Sequence, residues 1–200
     1  MADMYSLQGK EWTQFVKSLE NPYVMPEIID APLTQKGRNQ ARVAQSTIKR
    51  LENQPEIIVL SPQCRALQTG LIAFEHLVDK IPFIAHEMVR EQTGVHVCDM
   101  RRPKSQQMLD FPQVDFGLIE KEEDHLFQED TRESKLEMGE RIHHFLAWLE
   151  QRDETHVAVT SHSGWLMTLF NGSVKCEDSL KEWFQTGELR SVMLEFVKNE

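Results

Sequence analysis

The run Ile57-Ile58-Val59-Leu60, closed by Ser61-Pro62, constrains this chain more than any other stretch. Four consecutive apolar residues that end at a turn signal read as a strand buried on both faces. Such strands belong to the interior of parallel sheets. A loop then carries Arg65 into a helix whose apolar face is Leu67, Leu71, Phe74, Leu77 and Val78, through about Asp79. A guanidinium just past the end of a buried strand does little for a core. It is well suited to holding an anion.

The rest of the chain supplies similar units. Pro82-Phe83-Ile84-Ala85 reads as a second strand and His156-Val157-Ala158-Val159-Thr160 as a third, with Leu189–Val197 alternating as a final edge strand. Thr34 is placed to cap a helix striped by Ala41, Ala44, Ile48 and Leu51 that Pro55 closes. Ser134–Gln151 is a long helix with Leu136, Ile142, Phe145, Leu146 and Leu149 inward, and Trp165–Phe170 and Asp178–Phe184 are shorter helical stretches. Ser105–Phe111 has room for one or two helical turns, and Lys10–Leu19 spaces Trp12, Phe15, Val16 and Leu19 as an amphipathic helix. The acidic stretch Glu120–Asp130 reads as a solvated loop. Strands alternating with helices of crossover length predict an α/β fold, a mainly parallel three-layer sheet with helices on both faces. With no repeat or linker in the sequence, residues 1–200 are expected to form a single domain.

In such a sheet, ligands bind at the carboxyl ends of the strands. Arg65 follows the first of these strands, Glu91 the second, and His162 the third, so three separated polar residues are expected along one sheet edge. Arginine offers a planar fork matched to phosphate oxygens, and histidine donates to the same oxygens or carries a proton near neutral pH. A glutamate beside an anion is suited to general acid–base work. The set describes phosphoryl chemistry without a metal, and no HxxEH, DxDxD or glycine-rich P-loop string points elsewhere.

Bulk properties narrow the partners. A net charge of −10 argues against a nucleic-acid or anionic-membrane surface, and leaves room for a small phosphorylated metabolite or inorganic phosphate in a local pocket. No apolar run approaches the roughly 20 residues of a membrane span, and the N-terminus lacks a signal-peptide core. Cys64, Cys98 and Cys176 are scattered, which fits reduced thiols in a cytoplasmic protein. The expectation is no cofactor and no metal, with the oligomeric state left open.

Four strings carry a family resemblance. Leu60-Ser61-Pro62, Arg65-Ala66 and Gln68-Thr69 resemble one signature of the histidine phosphatase superfamily, the phosphoglycerate mutase-like fold. Ser161-His162-Ser163-Gly164 is similar to its last signature, and Asp30-Ala31-Pro32-Leu33-Thr34-Gln35-Lys36-Gly37 to the segment opening its first long helix. Arg90-Glu91, Gly94 and Cys98-Asp99-Met100-Arg101-Arg102 resemble a string of a plant and fungal branch of small members. The resemblance covers about residues 28–197. It implies that Arg65 binds the phosphoryl group, that His162 hydrogen-bonds it and stabilises developing charge, and that Glu91 protonates the leaving oxygen. It offers Arg101 and Arg102 to a further part of the substrate. From the residues alone, Arg101 and Arg102 read as a solvated loop pair, and Glu87 competes with Glu91 for the acid role. The remaining histidines, His76, His86, His96, His125, His143, His144 and His156, are read as structural.

The departure from the family is large. Its nucleophile is the histidine of an Arg-His-Gly or Arg-His-Ala triplet on the first central strand, and this sequence has no Arg-His dipeptide. Gln8-Gly9 falls where the residues after that triplet belong, which puts Tyr5 and Ser6 in the place of the arginine and histidine. Ser6 has no adjacent base and is not expected to substitute. The expectation is therefore a phosphomonoesterase of the phosphohistidine type, N-terminally incomplete and impaired for want of its nucleophile and first central strand. The alternative is a non-catalytic phosphate-binding pseudoenzyme.

Overall fold

The computed structural model describes residues 28–197. The expected helix over Lys10–Leu19 and the positions Tyr5, Ser6, Gln8 and Gly9 lie outside them. Eight regular elements follow in order: α1 (Gln35–Ile48), β1 (Ile57–Leu60), α2 (Cys64–Ala73), β2 (Phe83–Ala85), α3 (Lys104–Asp110), α4 (Lys135–Glu150), β3 (Val157–Thr160) and α5 (Ser163–Thr168). Short 3-10 turns cover Glu75–Leu77, Glu87–Val89, Val97–Asp99 and Asp178–Lys181, and a π turn, Leu169–Ser173, extends α5.

The three strands form one parallel sheet in the order β2-β1-β3. β1 is central, with Ile58 opposite Phe83 on one side and Ala158 on the other. All four of its residues are fully buried, which is what an unbroken apolar run requires. Successive side chains point to opposite faces. Ile58 and Leu60 therefore join one core with Ile48 of α1 and Leu67 of α2, while Val59 joins the other with Met138, Ile142 and Phe145 of α4 and Trp165 of α5. This is the α/β, three-layer arrangement the sequence predicts.

Helix boundaries follow local chemistry. Thr34 accepts from the Gly37 amide to cap α1, and Ser134 with Glu137 forms a full capping box on α4. α2 stops at Ala73, short of Asp79, and the chain continues as the 3-10 turn through Leu77.

Three expectations are corrected. Leu189–Val197 forms no strand, and no described segment pairs with it, because an alternating pattern without a hydrogen-bonding neighbour cannot close its backbone. Leu136 is 75% exposed, since the inward face of α4 runs through Met138, Arg141, Ile142 and Phe145. The Glu120–Asp130 loop is not wholly solvated, because Asp124 is buried as an ion-pair partner.

The two sheet edges differ. Asp115 covers β2 through an isolated bridge to Ile84. The outer edge of β3 has no strand partner among the described residues, and all four of its residues are only half-buried.

Candidate active site

Just past β1, the Ser61 amide donates to the Thr160 carbonyl and so extends the ladder to the last residue of β3. The next residue after β3 but one is His162. Its Nε2 lies 2.8 Å from Ser61 Oγ, which joins the ends of the two strands through their side chains. His162 is 8% exposed. Burial, and then the positive charges of Arg65, Arg90 and Arg141, hold its pKa well below the usual 6.5. It is a neutral imidazole at physiological pH, with the proton on one ring nitrogen only.

Gln63 organises the loop between β1 and α2, and sequence reading had not singled it out. Its Oε1 accepts from the Glu91 amide at 3.1 Å, and its Nε2 donates to the Asp99 carbonyl at 2.7 Å. A fully buried amide side chain thus fixes both loops that follow β2 onto the end of β1. The signal available in the sequence was a polar residue wedged between a buried strand and a helix. Asp30, with a left-handed φ of 46°, accepts from the Cys64 amide at 2.7 Å and so caps α2. Burial raises its carboxyl pKa against the pull of the Cys64 amide and Arg102.

Arg65 sits on the first turn of α2. It donates to the Cys98 carbonyl and, at 2.8 Å, to Asp99 Oδ1, and its side chain keeps 26% exposure. Glu91 is half-buried. Its carboxylate accepts from the Gly164 amide at 3.3 Å and the Gln92 amide at 2.9 Å. A Cβ on Gly164 would lie 2.4 Å from Glu91 Oε1, so a larger residue there would push this carboxylate from its place. Arg65, Glu91 and His162 are therefore gathered around the carboxyl ends of β1 and β3.

The structure separates the competing candidates. Glu87 is buried and bonded to Arg90 at 3.0 Å and to Arg101 at 2.9 Å. Arg90 continues the network to Asp124. Arg101 is 1% exposed, and its Nε–H and terminal nitrogens donate to Glu87 and to the carbonyls of Arg102, Lys121, Glu122 and Glu123. All five of its N–H groups have internal acceptors in this arrangement, which leaves none for a ligand. Arg102, its side chain 26% exposed, is not free in solvent as the loop-pair expectation had it; it bridges Asp30 and Asp110.

Two further arginines went unread in the sequence. Arg141 of α4 lies on the inward face, pairs with Glu133 at 2.6 Å, and donates to the carbonyls of Met88, Arg90 and Glu91. A charge at position 141 between apolar Met138, Ile142 and Phe145 was the available signal. Arg132 pairs with Asp99 Oδ2 at 2.8 Å and donates to the Gly94 carbonyl at 2.6 Å. Burial pushes the Cys98 thiol up to about 12 and the Cys64 thiol to about 11, so neither is a thiolate nucleophile at neutral pH. Among the described residues no group of three or more His, Cys, Asp or Glu side chains could hold a metal ion, and no helix is long and apolar enough to cross a membrane.

Comparison with known proteins bears on this geometry. The family model for the histidine phosphatase superfamily (branch 1) matches residues 22–200. Phosphoglycerate mutase-like protein 1 of Arabidopsis thaliana is 33% identical over 205 residues, covering 86% of this chain and 73% of its own. A second Arabidopsis thaliana phosphoglycerate mutase-like protein is 32% identical, covering 86% of this chain and 76% of its own. A probable phosphoglycerate mutase of Arthroderma benhamiae is 31% identical over 153 residues, which span 71% of this chain and 45% of that protein. A parallel α/β sheet, polar residues collected at its carboxyl edge, and a family match over nearly the whole length agree: this chain belongs to the histidine phosphatase superfamily, branch 1.

Proposed function

We propose that this chain is a member of the family that acts on small phosphomonoesters by the phosphohistidine route, impaired in hydrolysis because its sequence carries no Arg-His dipeptide. The observation that carries the reading is the convergence of Arg65, His162 and Glu91 on one sheet edge, held there by Ser61 and Gln63. Arg65 is the phosphoryl ligand, since its guanidinium is partly exposed and fixed by Asp99. His162 is neutral, so it hydrogen-bonds a phosphoryl oxygen without adding charge. Glu91 is the proton donor to the leaving oxygen, and Glu87 is excluded from that role by its two buried arginine partners. The sequence carries no Arg-His dipeptide to supply the family's nucleophile.

Inorganic phosphate or vanadate at millimolar concentration should raise the melting temperature, and Arg65→Ala should abolish the shift. Absence of any shift in the parent chain would sink the reading. The chain alone should hydrolyse para-nitrophenyl phosphate slowly or not at all.

The missing dipeptide favours a second reading, a phosphate-binding pseudoenzyme. A version carrying an N-terminal strand that ends Arg-His-Gly or Arg-His-Ala separates the two. Hydrolysis through an acid-labile phosphoenzyme supports the first. Binding with no phosphoenzyme supports the second.

A further inference from the structure

Ser61, Gln63 and His162 meet just past the ends of β1 and β3, and one arrangement of their hydrogens satisfies every contact between them. Gln63 is fixed first. Its Nε2 donates to the Asp99 carbonyl at 2.7 Å and its Oε1 accepts from the Glu91 amide at 3.1 Å, so its side chain cannot be turned over. Ser61 Oγ, on a fully buried residue, lies 3.4 Å from Gln63 Oε1, 3.4 Å from the Gln63 backbone nitrogen and 2.8 Å from His162 Nε2. The Gln63 backbone N–H can only donate, and Gln63 Oε1 can only accept. A hydroxyl has one hydrogen and two lone pairs. Sent to Gln63 Oε1, that hydrogen leaves both lone pairs to accept, one from the Gln63 N–H and one from His162 Nε2–H. Sent to His162 instead, it leaves two oxygens facing each other in a buried site with no hydrogen between them, which is costly.

The neutral ring of His162 is therefore protonated on Nε2 and bare on Nδ1, which no described residue bonds. Because Ser61 occupies Nε2, Nδ1 is what the ring offers a ligand, and it offers a lone pair. The charged groups acting on the ring are Arg65, Arg90 and Arg141. Arg90 is engaged by Glu87 and Asp124, and Arg141 by Glu133 and the backbone carbonyls of Met88, Arg90 and Glu91. The Glu91 carboxylate is turned to the Gly164 and Gln92 amides. Arg65, partly exposed and paired with Asp99, is left to attract an anion. Attraction for negative charge and acceptance of a hydrogen thus come from different side chains.

We propose that Ser61 is a positioning residue that, with Gln63, fixes His162 in the Nε2–H tautomer, so that the site prefers an oxyanion still carrying a proton over one that carries none. The proposal rests on the reading of Arg65 and His162 as phosphoryl ligands. A bare Nδ1 accepts the hydrogen of a P–O–H group, as in hydrogen phosphate or the monoanion of a phosphomonoester. A fully deprotonated oxyanion sets an oxygen lone pair against the nitrogen lone pair, and the contact turns repulsive. Sulfate is the discriminating ligand, because it is tetrahedral like phosphate and has no proton at neutral pH.

The test begins with long-range proton–nitrogen NMR spectra of the 200-residue chain labelled with heavy nitrogen, the His162 signals being those lost in His162→Gln. At pH 7 the ring should show a protonated Nε2 and an unprotonated Nδ1. A protonated Nδ1, or two nitrogens averaged between tautomers, would overturn the proposal whether or not any Ser61 variant folds. Ser61→Ala should average the two nitrogens, and Ser61→Thr, which returns the hydroxyl, should restore the parent pattern. The parent's tautomer persisting in a folded Ser61→Ala would overturn the role of Ser61. Calorimetric titration at pH 7 reads the consequence. The parent should bind inorganic phosphate at least about tenfold more tightly than sulfate, and Ser61→Ala should shrink that ratio to within about twofold. Equal binding of the two anions by the parent would overturn the preference and leave the phosphoryl reading standing. Failure of both to bind would overturn the two together. A melting curve for each variant shows whether the fold is intact.

Discussion

Two glutamates four residues apart, Glu87 and Glu91, have opposite fates. Glu87 lies inside a network with Arg90, Arg101 and Asp124, where each carboxylate oxygen answers a buried guanidinium. Removing one member of such a set strands its partners' charge and costs about 3 kcal/mol or more. Glu91 accepts only two amide bonds at a half-buried position, and glutamine preserves an acceptor there. Glu87→Gln should therefore lower unfolding free energy by about 3 kcal/mol in urea titrations, and Glu91→Gln by under about 1 kcal/mol. Equal losses would show that the two side chains are not divided between scaffold and site. The sequence placed Arg65, Glu91 and His162 because each follows a strand, and strand ends are readable from apolar runs. It did not reveal Gln63, Asp99, Arg132 or Arg141. Their roles come from contacts with segments tens of residues away, such as Gln63 with Asp99 and Arg141 with Met88, and no local pattern encodes those.

Elements were legible where their own residues close their backbone bonds. α4 starts at Ser134 because Ser134 Oγ accepts from the Glu137 amide at 3.2 Å, while Glu137 Oε2 accepts from the Ser134 amide at 2.7 Å. Both residues stand in the sequence at capping-box spacing. Ser134→Ala should cost about 1 kcal/mol of stability, read as a lower urea midpoint with unchanged slope. No loss would mean that the start of α4 is held by tertiary packing instead. Strands obey a different rule, because a strand exists only through its neighbour. β1, β2 and β3 were read correctly since their apolar runs are long enough to be buried by one another. Leu189–Val197 has the alternation of a strand and pairs with nothing described, so Val192, Met193, Leu194, Phe196 and Val197 remain at the surface.

At the scale of the whole molecule, histidines that are buried or half-buried make stability depend on pH below neutrality. Burial is the first cause that lowers the pKa of His76, His86, His96 and His162. For His86 the value falls to about 4, with Glu87 pulling it back up only in part. Its ring lies edge-on to Phe145, 5.6 Å between centroids, and to Trp148, at 4.9 Å, where a charge is poorly solvated. A base whose folded pKa is depressed takes up its proton more readily when unfolded. Stability is therefore full above the unfolded pKa near 6.5 and is lost as pH falls from there toward the folded value. For His86 that loss approaches about 1.4 kcal/mol per pH unit between about 6.5 and about 4. Asp30 acts in the opposite sense, since its raised pKa lets the folded state take a proton first, but only in the carboxylate range. Urea midpoints should therefore drop between pH 7 and pH 5. His86→Phe keeps the aromatic contacts and removes one titration, at the cost of the bond that His86 Nδ1 accepts from the Met88 amide. That variant should start less stable at pH 7 and lose less on going to pH 5. A flat midpoint in the parent, or an equally steep fall in His86→Phe, would show that the acid response originates elsewhere.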